Sequence, residues 1–235
     1  MALAQTDMKA LVAYSSLSHM GFIVLGIFSF NAQGQQGAVL QMVNHGLIVP
    51  ALFLLVAWIA ERAGTRERAA LFGLAPRMPV LAGVFLVVTL AALGLPGLNS
   101  FVGEFMILLG AWAFSPVLTV AACAGLVLAP IYMLRLFQGS MYAPPGAELR
   151  HGHLGGHSLE AAPQNPEHQN PEHQDLEHQD PEYPGSHRSR PMDIRGAQLA
   201  LLSPLVALMF LLGLYPFLLT RVMSAATLGL GLPWR

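Results

Sequence analysis

The chain is 235 residues long, 54% hydrophobic and only 11% charged, with a formal net charge of -1, whereas an ordinary soluble domain carries about 25% charged residues. So few charges cannot cover a soluble surface, and there is no basic field to hold nucleic acid. A single cysteine, Cys123, excludes a disulfide framework or a thiolate metal cluster.

The polar residues are also unevenly placed. Residues 142–192 hold most of the His and Glu and eight of the 17 Pro, and the apolar stretches of the remainder are almost free of charge. The expected fold is an all-α, polytopic membrane protein with a single soluble insert. Met1 to Lys9 does not read as a secretory signal, because Gln5, Thr6, Asp7 and Lys9 interrupt it and no small-residue cleavage site follows. The chain starts on the polar flank of its first helix, which suggests a piece of something longer.

A spanning helix needs about 20 apolar residues. Segments 10–30, 38–60, 115–138 and 196–220 meet that requirement. Segment 78–112 is too long, at about 52 Å as one straight helix. Its middle reads Leu93-Gly94-Leu95-Pro96-Gly97-Leu98-Asn99-Ser100. Pro and Gly break a helix there, and Asn99 or Ser100 is suited to cap a second half. The segment is then either one broken helix crossing once or a hairpin of two short helices.

Charge placement separates the two, because cytoplasmic loops are enriched in Lys and Arg. With five crossings, Lys9, Arg62, Arg66, Arg68, Arg77, Arg135, Arg150, Arg188, Arg190 and Arg195 share one side, and Arg221 and Arg235 take the other. A double crossing would spoil that ten-to-two split. About five transmembrane helices are expected, one of them broken at 78–112. Four of these segments lie in 1–141, a linker covers 142–192, and the last helix and tail cover 193–235. The insert is placed inside the cell.

Within the insert, Asn-Pro-Glu-His-Gln repeats from Asn165, and seven of the nine histidines lie between His151 and His187. Such tracts can bind zinc or nickel. However, His168, His173 and His178 share no helical face, and the segment has almost no apolar residues to offset its ordering entropy. A disordered linker is the preferred reading, with adventitious metal binding as the other.

Glu104 is the only acidic residue within a spanning segment. A carboxylate at that depth costs at least about 2.5 kcal/mol on insertion scales, so it should face the protein interior, a partner or water. It stands near the first turn of the second half-helix, where burial disfavours the charge and the positive end of the helix dipole favours it. That balance suits a proton carrier, and broken helices with midplane ionisable groups recur in ion transporters. The plainer alternative is a glutamate bonded to a neighbouring helix. His19 shares a face with Ser15, Ser18 and Phe22, and His45 sits beside Asn44 with Gln41 one turn before it. Imidazole can pass a proton between its nitrogens; it can equally join helices by hydrogen bonds. Lys9, one residue before the apolar stretch, reads as a surface lysine. No Gly-x-Gly-x-x-Gly or Walker loop, iron–sulfur cysteine spacing or intramembrane haem-type His pair is present. At the motif level the chain is a component of a proton or cation pathway.

Several stretches are recognisable. Gln5-Thr6-Asp7-Met8-Lys9, Ala13 through Gly21 (Ala-Tyr-Ser-Ser-Leu-Ser-His-Met-Gly), Gln41 through Gly46, and Gly94 through Phe105 resemble the antiporter-like subunits of respiratory complex I. The Gly-Glu-Phe ending at 103–105 resembles the branch in which glutamate stands where sibling chains and sodium–proton antiporter subunits usually carry lysine. The similarity is strong over residues 1 to about 140, resumes near Met192-Asp193-Ile194-Arg195, and leaves the insert without a counterpart.

The resemblance implies the last five helices of a fourteen-helix subunit, with the missing N-terminal helices as partners. Other implied partners are further membrane subunits of the complex, especially neighbouring antiporter-like chains, and the lipid bilayer. It implies proton translocation in a bacterial inner membrane, as part of an NADH:quinone oxidoreductase. NADH, FMN, iron–sulfur clusters and quinone would be handled by partner subunits, with no cofactor in this chain. Glu104 matches the carboxylate of the family's broken twelfth helix, on the proton exit side. His19 and His45 match histidines along the hydrated axis between half-channels. Lys9 matches a flanking lysine and gains no role. Two other readings are a subunit of a related cation–proton antiporter or membrane-bound hydrogenase, and a non-transporting fragment of a split reading frame.

Overall fold

The computed structural model describes residues 1–71, 73–142 and 193–222; at Ala69 only the backbone is described. The seven histidines of the insert lie outside these residues. The described chain is all helical. Its only extended pairing among the described residues is an isolated bridge between Asp7 and Glu67. The helices are α1 (Met8–Ile27), α2 (Ala32–Ala63), α3 (Pro79–Ala92), α4 (Asn99–Phe114), α5 (Pro116–Met141) and α6 (Ala197–Leu214), with short 3-10 turns at Ala2–Ala4 and Arg68–Ala70. Four of them (α1, α2, α5 and α6) are long and apolar enough to cross a membrane, and α3 and α4 are shorter apolar helices. This is a multi-pass membrane protein.

Local chemistry sets the helix starts. Asp7 accepts from the backbone N–H of Lys9 and Ala10 at 2.6 and 3.0 Å, which caps α1. Asn31 accepts from Gly34 N–H at 2.9 Å and so starts α2 before its apolar run begins at residue 38. The added first turns, Ala-Gln-Gly-Gln-Gln-Gly, are held by packing rather than by hydrophobicity. Gly37 lies directly against the backbone of Ile107 in α4, and Gly110 of α4 against Gly34, so that a Cβ on Gly37 or Gly110 would collide with the facing helix. Small residues on both partners allow this close approach of backbones.

Hydrogen bonds between helix ends fix the number of crossings. On one face, Met8 N–H donates to Arg66 and Arg68 N–H to Thr6, which brings the start of α1 to the end of α2. Leu74 and Ala75, leading into α3, donate to the carbonyls of Ser140 and Met141 at the end of α5. Arg62 Nη2 donates to Gln198 Oε1 at 2.7 Å, which places the start of α6 there as well. At the opposite face, Asn31 Nδ2 in the α1–α2 turn donates to Gly110 O near the end of α4, at 2.8 Å. Thus α3 enters at the first face and α4 leaves at the second. The pair is one broken crossing and not a hairpin, and Lys9, Arg62, Arg66, Arg68, Arg77 and Arg195 lie at the first face.

One expectation fails at the break. Neither Asn99 nor Ser100 caps α4. Leu98 precedes the helix in extended conformation (φ -111°, ψ 161°) without a side-chain cap, and Asn99 is already helical. The physical reason differs for the two. Asn99 already has helical backbone, which leaves the N-cap position to Leu98, and the Ser100 hydroxyl is engaged by Gln41 and Glu104. The region expected as one span at 196–220 is interrupted at Tyr215-Pro216, beyond which residues 217–222 resume a helix. The proline cannot donate to the preceding turn.

Candidate functional site

Helix α3 ends at Ala92, and Gly94 takes a left-handed conformation (φ +71°) that turns the chain away from the helix axis. Six residues after α3, α4 begins, and its second turn carries Glu104. Glu104 is 3% exposed. A Cβ on Gly94 would stand 2.5 Å from Glu104 Oε2, so the break is shaped around this carboxyl group.

Two donors and an imidazole nitrogen converge on the other oxygen, Oε1. Ser100 Oγ, one turn earlier on α4, donates at 3.0 Å; Gln41 Nε2 from α2 donates at 3.2 Å; and His19 Nδ1 from α1 lies at 3.2 Å. Gln41 Nε2 also donates to Ser100 Oγ at 2.8 Å. Behind it, Asn44 Nδ2 donates to Gln41 Oε1 at 3.2 Å and to the Asn99 carbonyl at 2.8 Å. Side chains of α2 therefore lace the start of α4 to the middle of the bundle. Gln41 and Asn44 are three residues apart on α2, and Ser100 and Glu104 four apart on α4, spacings that share a helix face.

The Glu104–His19 contact is the one carboxyl–imidazole contact between buried side chains among the described residues. His19 donates through Nδ1 only when that nitrogen carries the hydrogen, which leaves Nε2 as the acceptor in the neutral ring. His19 Nε2 is buried and has no protein partner. The His45 ring lies beyond it, with centroids 6.0 Å apart and planes inclined at 48°. His45 Nε2 in turn contacts Ser16 Oγ at 2.8 Å. Glu104, His19, His45 and Ser16 form a row across α4, α1 and α2. Two exchangeable groups are in direct contact, and a third ring packs against the second.

The sequence pointed to Glu104, His19 and His45. The structure puts the first two in contact and the third beside His19 rather than on the carboxyl. Lys9 is exposed, about 15 Å along α1 from His19 at 1.5 Å per residue. Gln41 and Ser100 as partners of Glu104 were missed, although a polar residue one turn from each intramembrane ionisable group was a legible signal. Tyr132 of α5 was missed altogether. It is buried beside Ser18, within range of the Glu104 charge. No set of three or more His, Cys, Asp or Glu among the described residues is arranged to hold a metal ion.

Known proteins share both sequence and architecture with this chain. Residues 1–129 match the family model for the transmembrane region of NADH:quinone oxidoreductase and Mrp antiporter subunits. NADH-quinone oxidoreductase subunit M of Rhodobacter capsulatus is 38% identical over 223 residues, which are 95% of this chain and 36% of the relative. That match takes in residues on both sides of the insert. A chain of respiratory complex I from Thermus thermophilus with bound NADH is 31% identical with a TM-score of 0.71, over 94% of this chain and 38% of that one. A chain of the Mrp complex from Dietzia sp. DQ12-45-1b has a TM-score of 0.68 at 21% identity, over 93% of this chain and 42% of that one, which is a likeness of fold. The chain spans about a third of the length of the curated relatives it matches.

Proposed function

The chain belongs to the NADH:quinone oxidoreductase/Mrp antiporter transmembrane family, and from that membership we propose that it acts as a proton-translocating part of a membrane subunit corresponding to subunit M of NADH-quinone oxidoreductase. The single observation that carries the reading is the buried contact of Glu104 with His19 at a helix break, with His45 next in line. A carboxyl and an imidazole in hydrogen-bond contact can exchange a proton in place, and an intramembrane ionisable group is functional by default. The His19 ring accepts at one nitrogen and releases at the other, so a proton arriving from the His45 side passes to Glu104 without either side chain moving far.

In this reading the redox chemistry belongs to other subunits. NADH, FMN, iron–sulfur clusters and quinone are bound there, and this chain contributes the membrane path. Its partners are neighbouring antiporter-like chains and the additional helices that its longer relatives possess. The location is a bacterial inner membrane, with the face bearing Lys9, Arg62 and Arg66 towards the cytoplasm, as the distribution of positive charge favours.

The test is Glu104→Gln, in a complex in which the remaining helices of such a relative are supplied. Gln keeps the size and can still bond to Ser100 and Gln41, but it cannot exchange a proton. Proton uptake by inverted vesicles on adding NADH, normalised to assembled complex, should fall by about an order of magnitude, while assembly is retained. Glu104→Asp should be milder. Undiminished uptake in the Gln variant would leave Glu104 as a helix-packing residue.

A further inference from the structure

Three polar atoms next to the Glu104 cluster are left without partners in the protein. Asn44 is fully buried, and its Nδ2 makes two hydrogen bonds, yet its Oδ1 makes none. Asn99, also fully buried, has neither Oδ1 nor Nδ2 bonded. The two residues are directly joined, Asn44 Nδ2 donating to Asn99 O at 2.8 Å, so the unpartnered atoms belong to one contact between α2 and the start of α4. A dry amide group at such a place is costly, and buried polar groups in proteins are nearly always bonded to protein or to ordered water. Turning either amide by 180° exchanges its oxygen and nitrogen but leaves Asn99 with a donor and an acceptor still to be met.

We propose that Asn44 and Asn99 hold an internal water molecule at the helix break. The unmet groups are two acceptors and one donor. A single water supplies two hydrogens and accepts in return, which falls within the two to four bonds a buried water typically makes. Its position gives it a second consequence. The water donates to Asn44 Oδ1, Asn44 Nδ2 donates to Gln41 Oε1, and Gln41 Nε2 donates to Glu104 Oε1. The bonds point the same way, and each polarises the next. The water stands at the head of a donor chain that ends on the carboxyl group, at the same oxygen that His19 touches. Because the amides keep their hydrogens, this branch conducts no protons. It positions and polarises Gln41. Asn44 and Asn99 are thus positioning residues for Glu104, whichever role Glu104 has.

A high-resolution crystal structure of the full chain in a lipid mesophase tests the site. The expected result is a peak of ordered density within about 3.2 Å of Asn44 Oδ1 and of an Asn99 amide atom, absent from Asn99→Leu while the Glu104–His19 contact persists. In a map that shows other buried waters, either no density there or bonding of these amides to another side chain overturns the proposal. The wild-type map decides the matter even where the Leu variant fails to fold. Since the readout is density, its outcome is separate from whether Glu104→Gln transports protons.

Discussion

Asp193 caps helix α3 from the far side of the insert. Its Oδ2 accepts from Val80 N–H at 2.8 Å and its Oδ1 from Leu81 N–H at 2.9 Å. Met78, the residue before the first turn, has no side-chain bond of its own to the helix, and Pro79 follows it. A residue 112 positions away from Leu81 therefore does what a local Asp or Ser usually does, and its negative charge meets the positive end of the α3 dipole. Asp193→Ala should cost about 1–2 kcal/mol, and Asp193→Asn, which keeps an acceptor, should cost less. Thermal unfolding in detergent, followed by helical circular dichroism, should rank wild type above Asn and Asn above Ala. Coincident midpoints would remove the capping role.

The same contact bears on the insert. Asp193 and Gln198, which bonds to Arg62, lie after it and dock the start of α6 on the bundle. Deleting residues 150–187 should therefore leave membrane insertion and assembly unchanged, because a shorter connection costs little and its composition supports no packed core. The readouts are the membrane-extracted yield and a single symmetric peak on size exclusion. Loss of assembly would show that the insert docks a partner.

Sidedness can be read chemically. The residues flanking the insert follow α5 and precede α6, both of whose ends lie at the face with Lys9, Arg62 and Arg66. Ser158→Cys, in a Cys123→Ser background because Cys123 is exposed, should be shielded in intact cells from a membrane-impermeant maleimide and react in inverted vesicles. Labelling of intact cells would reverse the assigned orientation.

Gly94 and Gly83 make a paired test of the break. Gly94→Ala puts a Cβ into a left-handed conformation and within 2.5 Å of Glu104 Oε2. The conformation alone costs about 1–2 kcal/mol. Gly83→Ala, in the interior of α3, meets nothing within 4 Å and should be neutral or mildly stabilising. A lowered unfolding temperature for the first and not the second is expected. Equal behaviour would mean that the break does not depend on its glycine.

The apolar runs were legible because a bilayer enforces them: no water is there to satisfy lipid-facing backbone groups, so a crossing is helical wherever it meets lipid, and about 20 apolar residues announce it. Pro96 with Gly94 and Gly97 marked the break for an equally local reason, since proline and glycine act on their own stretch of backbone. Glu104 stood out by its rarity in a span and by its place just past the break. What local composition could not specify is which groups meet. His19 lies 85 residues from Glu104, Gln41 lies 63 away, and Asp193 reaches its helix across the whole insert. The first turns of α2 looked too polar to belong to a span, yet glycine-to-glycine packing against α4 makes them one. Asn99 and Ser100 were well suited as caps, but α4 starts one residue too early for Asn99 to act as one, and Gln41 of α2 engages the Ser100 hydroxyl. Hydrophobic length is a property of one segment, and the sequence by itself determined it. A side-chain hydrogen bond depends on the relative depth and rotation of two helices, which only tertiary packing decides.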